Sequence, residues 1–225
     1  MPSFFTRMNI SGELTRIGVD TNTDKAYFHN FTAVYERFLY DKREKIQQII
    51  EIGVLRGSSI QMWERYLPNA KILGLDVNPQ YFSERTFGPR VSLEICDATK
   101  ESELTSVLNS HAISPGSVDF IIEDGSHIVS HQVKTMCALW KYVKPGGFYV
   151  IEDMHTTVPS LIGRHSHIPH DGGYIDMNPT TETRVLGSMY GFEDMFPGVP
   201  LEEIEHIAYV STVKTKSLTC IFTKK

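Results

Sequence analysis

The 225-residue sequence contains no run of about 18 consecutive apolar residues, the length a membrane-spanning helix needs. Its first residues, Met1-Pro2-Ser3-Phe4-Phe5-Thr6-Arg7, lack the long apolar core of a secretory signal. Both absences point to a cytoplasmic protein with no membrane partner. Cysteine is scarce: Cys96, Cys137 and Cys220 are odd in number, widely spaced and set in apolar runs, which argues for buried thiols and against a disulfide or zinc framework. Positive charge is also short, with 22 Lys and Arg against 27 Asp and Glu and a net charge of −5. Without a basic footprint, nucleic acid and anionic membrane are not expected partners. There is no internal repeat and no low-complexity tract. What remains is a globular composition, 41% hydrophobic and 22% charged, of a length that suits one α/β domain over residues 1–225.

Two stretches dominate. Val118-Asp119-Phe120-Ile121-Ile122 runs into Glu123-Asp124-Gly125-Ser126-His127, and Gly147-Phe148-Tyr149-Val150-Ile151 runs into Glu152-Asp153-Met154-His155. Buried parallel strands read as continuous apolar runs of this kind. Residues 130–142 between them are helix-like, and Lys144-Pro145-Gly146-Gly147 stops that helix and turns the chain back. The unit is β-α-β. If its strands are neighbours, about 4.8 Å apart, their C-terminal ends bring acids together at the edge where open α/β sheets bind ligands. Such carboxylates repel one another unless a proton or a cation lies between them, and a hard divalent ion is the simplest candidate. Alternation points Glu123 away from Asp124, toward a packing or supporting role. Histidine is the side chain whose ordinary pKa lies nearest neutrality, so His127 is a candidate base. The alternative is a helix-capping turn with Ser126 as the cap and His127 in solvent. His155 either lines an acceptor pocket or merely ends the strand.

Upstream, residues 45–53 read as a strand leading into Glu51-Ile52-Gly53-Val54-Leu55-Arg56-Gly57-Ser58-Ser59 and a helix over 60–66. A strand that opens a helix through a glycine loop sets bare backbone N–H groups beside a cofactor. Glu51, Gly53, Gly57 and Ser58 are the candidate contacts. The spacing is Gly-x-x-x-Gly, not the Gly-x-Gly-x-x-Gly of dinucleotide sites. Lys71-Ile72-Leu73-Gly74-Leu75-Asp76 is a second strand, whose acid stands 23 residues beyond Gly53, where nucleotide sites carry a carboxylate for ribose hydroxyls. A helix N-cap is the alternative role for Asp76. A third strand over 90–95 delivers Asp97 to the adenine side of the same crevice. Met62 and Trp63 are expected to pack the first helix on the sheet. Residues 1–30 read as polar and irregular, most turn-like at 21–25, and residues 30–40 as a helix with Glu36 on its solvated side.

A glycine loop, acids after the second and third strands and a chemistry-bearing turn after the fourth resemble the class I S-adenosylmethionine-dependent methyltransferases. Finer motifs over about residues 20–157 sharpen the likeness: Thr23-Asp24-Lys25, His29 with Tyr35-Glu36, Glu51-Ile52-Gly53-Val54, Met62-Trp63, Pro68-Asn69-Ala70, Gly74-Leu75-Asp76, the Glu123–His127 turn, Lys144-Pro145-Gly146-Gly147 and Ile151-Glu152-Asp153. Together they resemble the metal-dependent O-methyltransferases of macrolide and antibiotic biosynthesis, including the mycinamicin and tylosin sugar O-methyltransferases and the cephalosporin-biosynthesis methyltransferase-like proteins. Longer members carry an N-terminal auxiliary domain.

The resemblance implies a Rossmann-like, mostly parallel seven-stranded sheet closed by a C-terminal antiparallel hairpin from residues 205–212 and 217–225. It implies S-adenosyl-L-methionine and Mg²⁺ as cofactors, with Asp124, Glu152 and Asp153 on the metal, Asp124 also bordering the cofactor, and His127 as general base. The implied acceptor is a hydroxyl of a small molecule, a sugar of a glycosylated natural product, and the implied assembly a homo-oligomer. A divalent ion suits this chemistry because it lowers the pKa of a hydroxyl that is otherwise a poor nucleophile. Residues 1–44 would form an N-terminal cap. Residues 156–200, rich in proline and glycine, would form a lid over the acceptor, with a short helix over 181–190. The histidines of that stretch, His165, His167 and His170, read as solvated or sugar-contacting, since no cysteines or helical His-Glu-x-x-His frame accompany them. Three other readings stay open: a catechol-type O-methyltransferase, a nicotinamide-binding oxidoreductase, and an inactive methyltransferase-fold binding protein.

Overall fold

The computed structural model describes residues 12–78, 80, 85–154, 198–211 and 218–225. Strands β1 (Gln48–Ile52), β2 (Lys71–Asp76), β3 (Val91–Ile95), β4 (Val118–Glu123), β5 (Val143–Ile151), β6 (Ile204–Ser211) and β7 (Leu218–Lys224) form one sheet in the order β3-β2-β1-β4-β5-β7-β6. The pairs from β3 to β5 are parallel, and β7 is antiparallel to both neighbours, as the expected closing hairpin requires.

The strands are apolar on both faces because both faces are covered. Ile49, Phe120, Ile122 and Val150 pack with Leu14 of α1 (Glu13–Asp20), Tyr35 of α3 (Thr32–Leu39) and Trp63 of α4 (Ser58–Tyr66), while the short α2 (Asp24–Tyr27) lies between α1 and α3 in the chain. The intervening residues Ile50, Ile121 and Tyr149 pack with Leu104 of α5 (Glu101–Ser110) and Met136 of α6 (Val129–Leu139). Edge-to-face rings knit the first face: Tyr35 lies 5.6 Å from Trp63 and 5.8 Å from Phe120.

The region read as irregular before residue 30 instead carries α1 and α2. Its apolar signal is thin, and Gly18 supplies the rest by close approach: a Cβ there would stand 2.6 Å from that of Ala26. Glu36, read as solvated, is fully buried and accepts the Glu13 backbone N–H at 3.0 Å, satisfying a first-turn donor of α1. Lys144-Pro145-Gly146-Gly147 does not precede the strand but lies inside β5, beside a register shift between Val118 and Phe120 of β4. The expected lid histidines, His155 and the helix over 181–190 lie outside the described residues.

The chain runs outward from β1 to β3 and returns to β4 on the other side of β1, so the sheet's switch point lies at the C-terminal ends of β1 and β4. The two ends nearly touch. Gly53, with φ of 90°, approaches so closely that a Cβ would stand 2.0 Å from the Asp124 carbonyl oxygen. Gly53→Ala should therefore cost about 2 kcal/mol or more, read from urea unfolding.

Glu123, at the end of β4, points to the opposite face from Asp124, as alternation predicts, and is 1% exposed. Burial, reinforced by Asp124, pushes its pKa up to about 8. The folded protein thus holds a proton that the unfolded chain releases, and stability falls as pH climbs from 4.5 to about 8. Glu123→Gln removes this titration, so its urea midpoint should fall less across that window than the wild type's.

Candidate functional site

Alternation along the strands sends Glu51 of β1, Asp124 just past β4 and Glu152 just past β5 to the face covered by α3 and α4. At that spacing their charges would repel. The cation that meets them is Lys25 of α2, only 1% exposed. Its ammonium donates to Asp124 Oδ2 and to Glu152 Oε2, the latter at 2.8 Å, and lies 3.6 Å from Glu51 Oε1. Burial opposes the charge on Lys25, but Asp124, Glu152 and Glu51 together outweigh it and raise its pKa well above the usual lysine value. Burial pushes the Glu51 and Glu152 carboxyls up, and Lys25 pulls them back. Glu51 also accepts Ser59 Oγ–H at 2.6 Å and Trp63 Nε1–H at 2.7 Å, so α4 is tied to the end of β1. Glu152 accepts the Tyr35 hydroxyl, and Gln132 Nε2 donates to its carbonyl at 3.0 Å.

Asp153 and His127 reach the site by another route. Alternation would put Asp153 on the face opposite Glu152, but its backbone is left-handed, with φ of 52°, and His127 is left-handed too, at 59°. One ligand atom each of Asp124, His127 and Asp153 then lies within 4.8 Å of the others. His127 Nδ1 is 3.9 Å from Asp124 Oδ1, and His29 Nδ1 is 4.0 Å from Asp153 Oδ1. The capping alternative for this turn does not describe it: α6 begins at Val129 with Ile128 at its N-cap, and Ser126 Oγ sits 2.8 Å from His131 Nδ1. Of the expected ligands, Asp124 and Asp153 converge with His127, while the Glu152 carboxylate is engaged by Lys25 and Tyr35.

Lys25, Asp124, His127, Glu152 and Asp153 line a cavity of about 780 Å³ that also reaches Gly53, Ser58 and Asp76. A second cavity of about 290 Å³ continues past Gly53 and Asp76 to Asp97, between the apolar Leu75, Val77 and Ala98. The glycine loop is not as bare as its sequence suggests. Asp76 Oδ2 accepts the Val54 and Leu55 N–H groups, each at 2.9 Å, and Oδ1 accepts that of Asn78 at 2.9 Å. Asp76 therefore shapes the loop while facing both cavities. Asp97 holds Thr99, its Oδ1 accepting the side-chain hydroxyl at 2.6 Å. Glu51 and Gly57 line neither cavity; Gly57 (φ 71°) caps α4, where a Cβ would strike the Phe87 ring at 2.7 Å.

Sequence reasoning assigned no role to Lys25, Tyr35 or Arg85. Lys25 sits in a polar, turn-like stretch whose hydropathy matches that of any solvated loop. Arg85 lines the larger cavity and reaches Ser58 Oγ at 2.8 Å. The recurrence of Thr23-Asp24-Lys25 and Tyr35 among the resemblance motifs was the only available signal.

No protein-family model matches the chain. It is 32% identical over 151 residues to the 8-demethyl-8-alpha-L-rhamnosyl tetracenomycin-C 2'-O-methyltransferase of Streptomyces olivaceus, covering 64% of this chain and 38% of the relative. It is 33% identical over 158 residues to the L-olivosyl-oleandolide 3-O-methyltransferase of Streptomyces antibioticus, covering 66% of this chain and 39% of the relative. The mycinamicin VI 2''-O-methyltransferase of Micromonospora griseorubida is 34% identical over 137 residues, 58% of this chain and 33% of the relative. The matched part thus spans less than two fifths of each relative. Among solved structures, the MycE methyltransferase of the mycinamycin pathway, in complex with Mg, SAH and mycinamycin VI, matches 94% of this chain and 54% of its own, with a TM-score of 0.67 at 26% identity. The chain has a class I methyltransferase fold, and in sequence it resembles the sugar O-methyltransferases of macrolide and antibiotic pathways.

Proposed function

We propose that this chain is an S-adenosyl-L-methionine- and Mg²⁺-dependent O-methyltransferase that methylates a hydroxyl of a small molecule, a sugar of a glycosylated natural product. The observation that carries this reading is the meeting of Asp124, His127 and Asp153 within 4.8 Å, in a cavity that also reaches the glycine loop. Two carboxylates and an imidazole meeting at one point, Asp153 and His127 turned there by left-handed backbone, fit a divalent cation and a nearby base better than a packing role. The names of the relatives, each a sugar-tailoring O-methyltransferase, support the acceptor class.

In this reading Gly53, Ser58 and Asp76 border the amino-acid and ribose portions of the methyl donor in the larger cavity. Asp97 and the apolar residues of the smaller cavity border its adenine. The net negative charge of the site favours a cationic sulfonium. Asp124 and Asp153 would hold the metal, with Glu152 the further carboxylate beside them. A bound divalent ion would supply orientation of the acceptor hydroxyl and a lowered pKa for it. His127 takes the hydroxyl proton. Its Nδ1 is buried, 3.9 Å from Asp124 Oδ1. Residues 1–225 are proposed as one domain, and the protein as a cytoplasmic homo-oligomer with no nucleic-acid partner. Among the described residues no helix is long and apolar enough to cross a membrane.

His127→Ala should lower turnover by about 10²- to 10⁴-fold while calorimetric affinity for S-adenosylhomocysteine stays close to wild type; unchanged turnover would remove His127 as the base. Asp153→Asn should lose metal-stimulated activity. Full wild-type activity in excess chelator would overturn the metal reading.

A further inference from the structure

The proposed function leaves Lys25 unused. Burying an ammonium to 1% exposure is costly, and a buried ion pair is seldom the cheapest route to stability. Lys25 is not paired with one acid, as a packing lysine would be. It reaches carboxylates from three strand ends, Glu51 of β1, Asp124 beyond β4 and Glu152 beyond β5, and it lines the same cavity as Asp124, Glu152 and Asp153.

Asp124 is the shared group. Its Oδ2 accepts from Lys25, and its Oδ1 faces His127 at 3.9 Å within the triangle that includes Asp153. A cation drawn to the triangle therefore shares a carboxylate with an ammonium already in place. Glu152 is held more firmly still, by Lys25 at 2.8 Å on one oxygen and by the Tyr35 hydroxyl on the other. The acids are thus partly neutralised by the protein itself before any external ion arrives.

We propose that Lys25 is an internal cation that competes with the divalent metal for Asp124 and Glu152, and so sets the metal affinity of the site. The inference rests on the metal reading of the same site. It makes Lys25 a positioning residue that acts through Asp124 and Glu152, and it places the competing charge on the segment that also carries Tyr27 and His29 into the cavity. Metal occupancy is then coupled to the placement of α2, because the ion and the helix draw on the same two acids.

The test is calorimetric titration of the full chain with Mg²⁺ and with Mn²⁺. Lys25→Met should bind either ion about tenfold more tightly than wild type, within the usual range for coupled sites, and its melting temperature should rise more on adding metal. Lys25→Arg, which keeps the charge, should stay near wild type. A structural lysine predicts the reverse, since its loss would loosen the site. Equal or weaker binding by Lys25→Met, with wild type binding normally, would overturn the competition. If neither protein binds, the metal reading itself falls, and this inference with it. Should Lys25→Met fail to fold, amide exchange of residues 21–31 in the wild type decides: acceleration on saturating metal supports competition, and unchanged exchange with metal bound rejects it.

Discussion

The structure depends on placing several acids at the ends of adjacent parallel strands without letting them push the sheet apart. Strands about 4.8 Å apart bring Glu51, Asp124 and Glu152 far closer than unpaired charges tolerate in a protein interior. Lys25 makes the arrangement possible by reaching all three from outside the sheet. Tyr35 from α3 donates to Glu152, and Ser59 and Trp63 from α4 donate to Glu51, so the helices of one face are fastened to the sheet through the same carboxylates. Packing and site chemistry are joined at this point, and a change to one is felt in the other.

Backbone strain marks where the site departs from regular sheet geometry. Among the described residues six non-glycine positions have positive φ, and four of them, Asn22, Leu55, His127 and Asp153, line the larger cavity. Each such residue costs on the order of 1–3 kcal/mol and persists only where its surroundings hold it. Asp76 holds Leu55 through its N–H, and the approach of Gly53 to the Asp124 carbonyl fixes where the turn carrying His127 begins. Alternation brings Glu51, Asp124 and Glu152 to one face of the sheet, and the left-handed backbone of His127 and Asp153 brings those two residues to join them.

Sequence identity of 32–34% is confined to part of each relative, whereas the fold match to MycE takes in 94% of this chain.

Much of this was legible in the primary sequence because parallel strands buried on both faces leave an unmistakable signature: unbroken apolar runs that end in acids. The runs before Asp76, Asp124 and Glu152 determined the strands, their parallel sense and the edge that carries the chemistry, and alternation alone sent Glu123 to the opposite face from Asp124. Hydropathy could not show that Lys25 is buried, since its cost is offset by carboxylates more than 20 residues away in the chain, nor that Glu36 caps α1. Alternation even misdirects Asp153, whose position rests on a single left-handed residue. Those outcomes belong to tertiary structure, because charge compensation and backbone reversal act between segments that meet only once the sheet has formed.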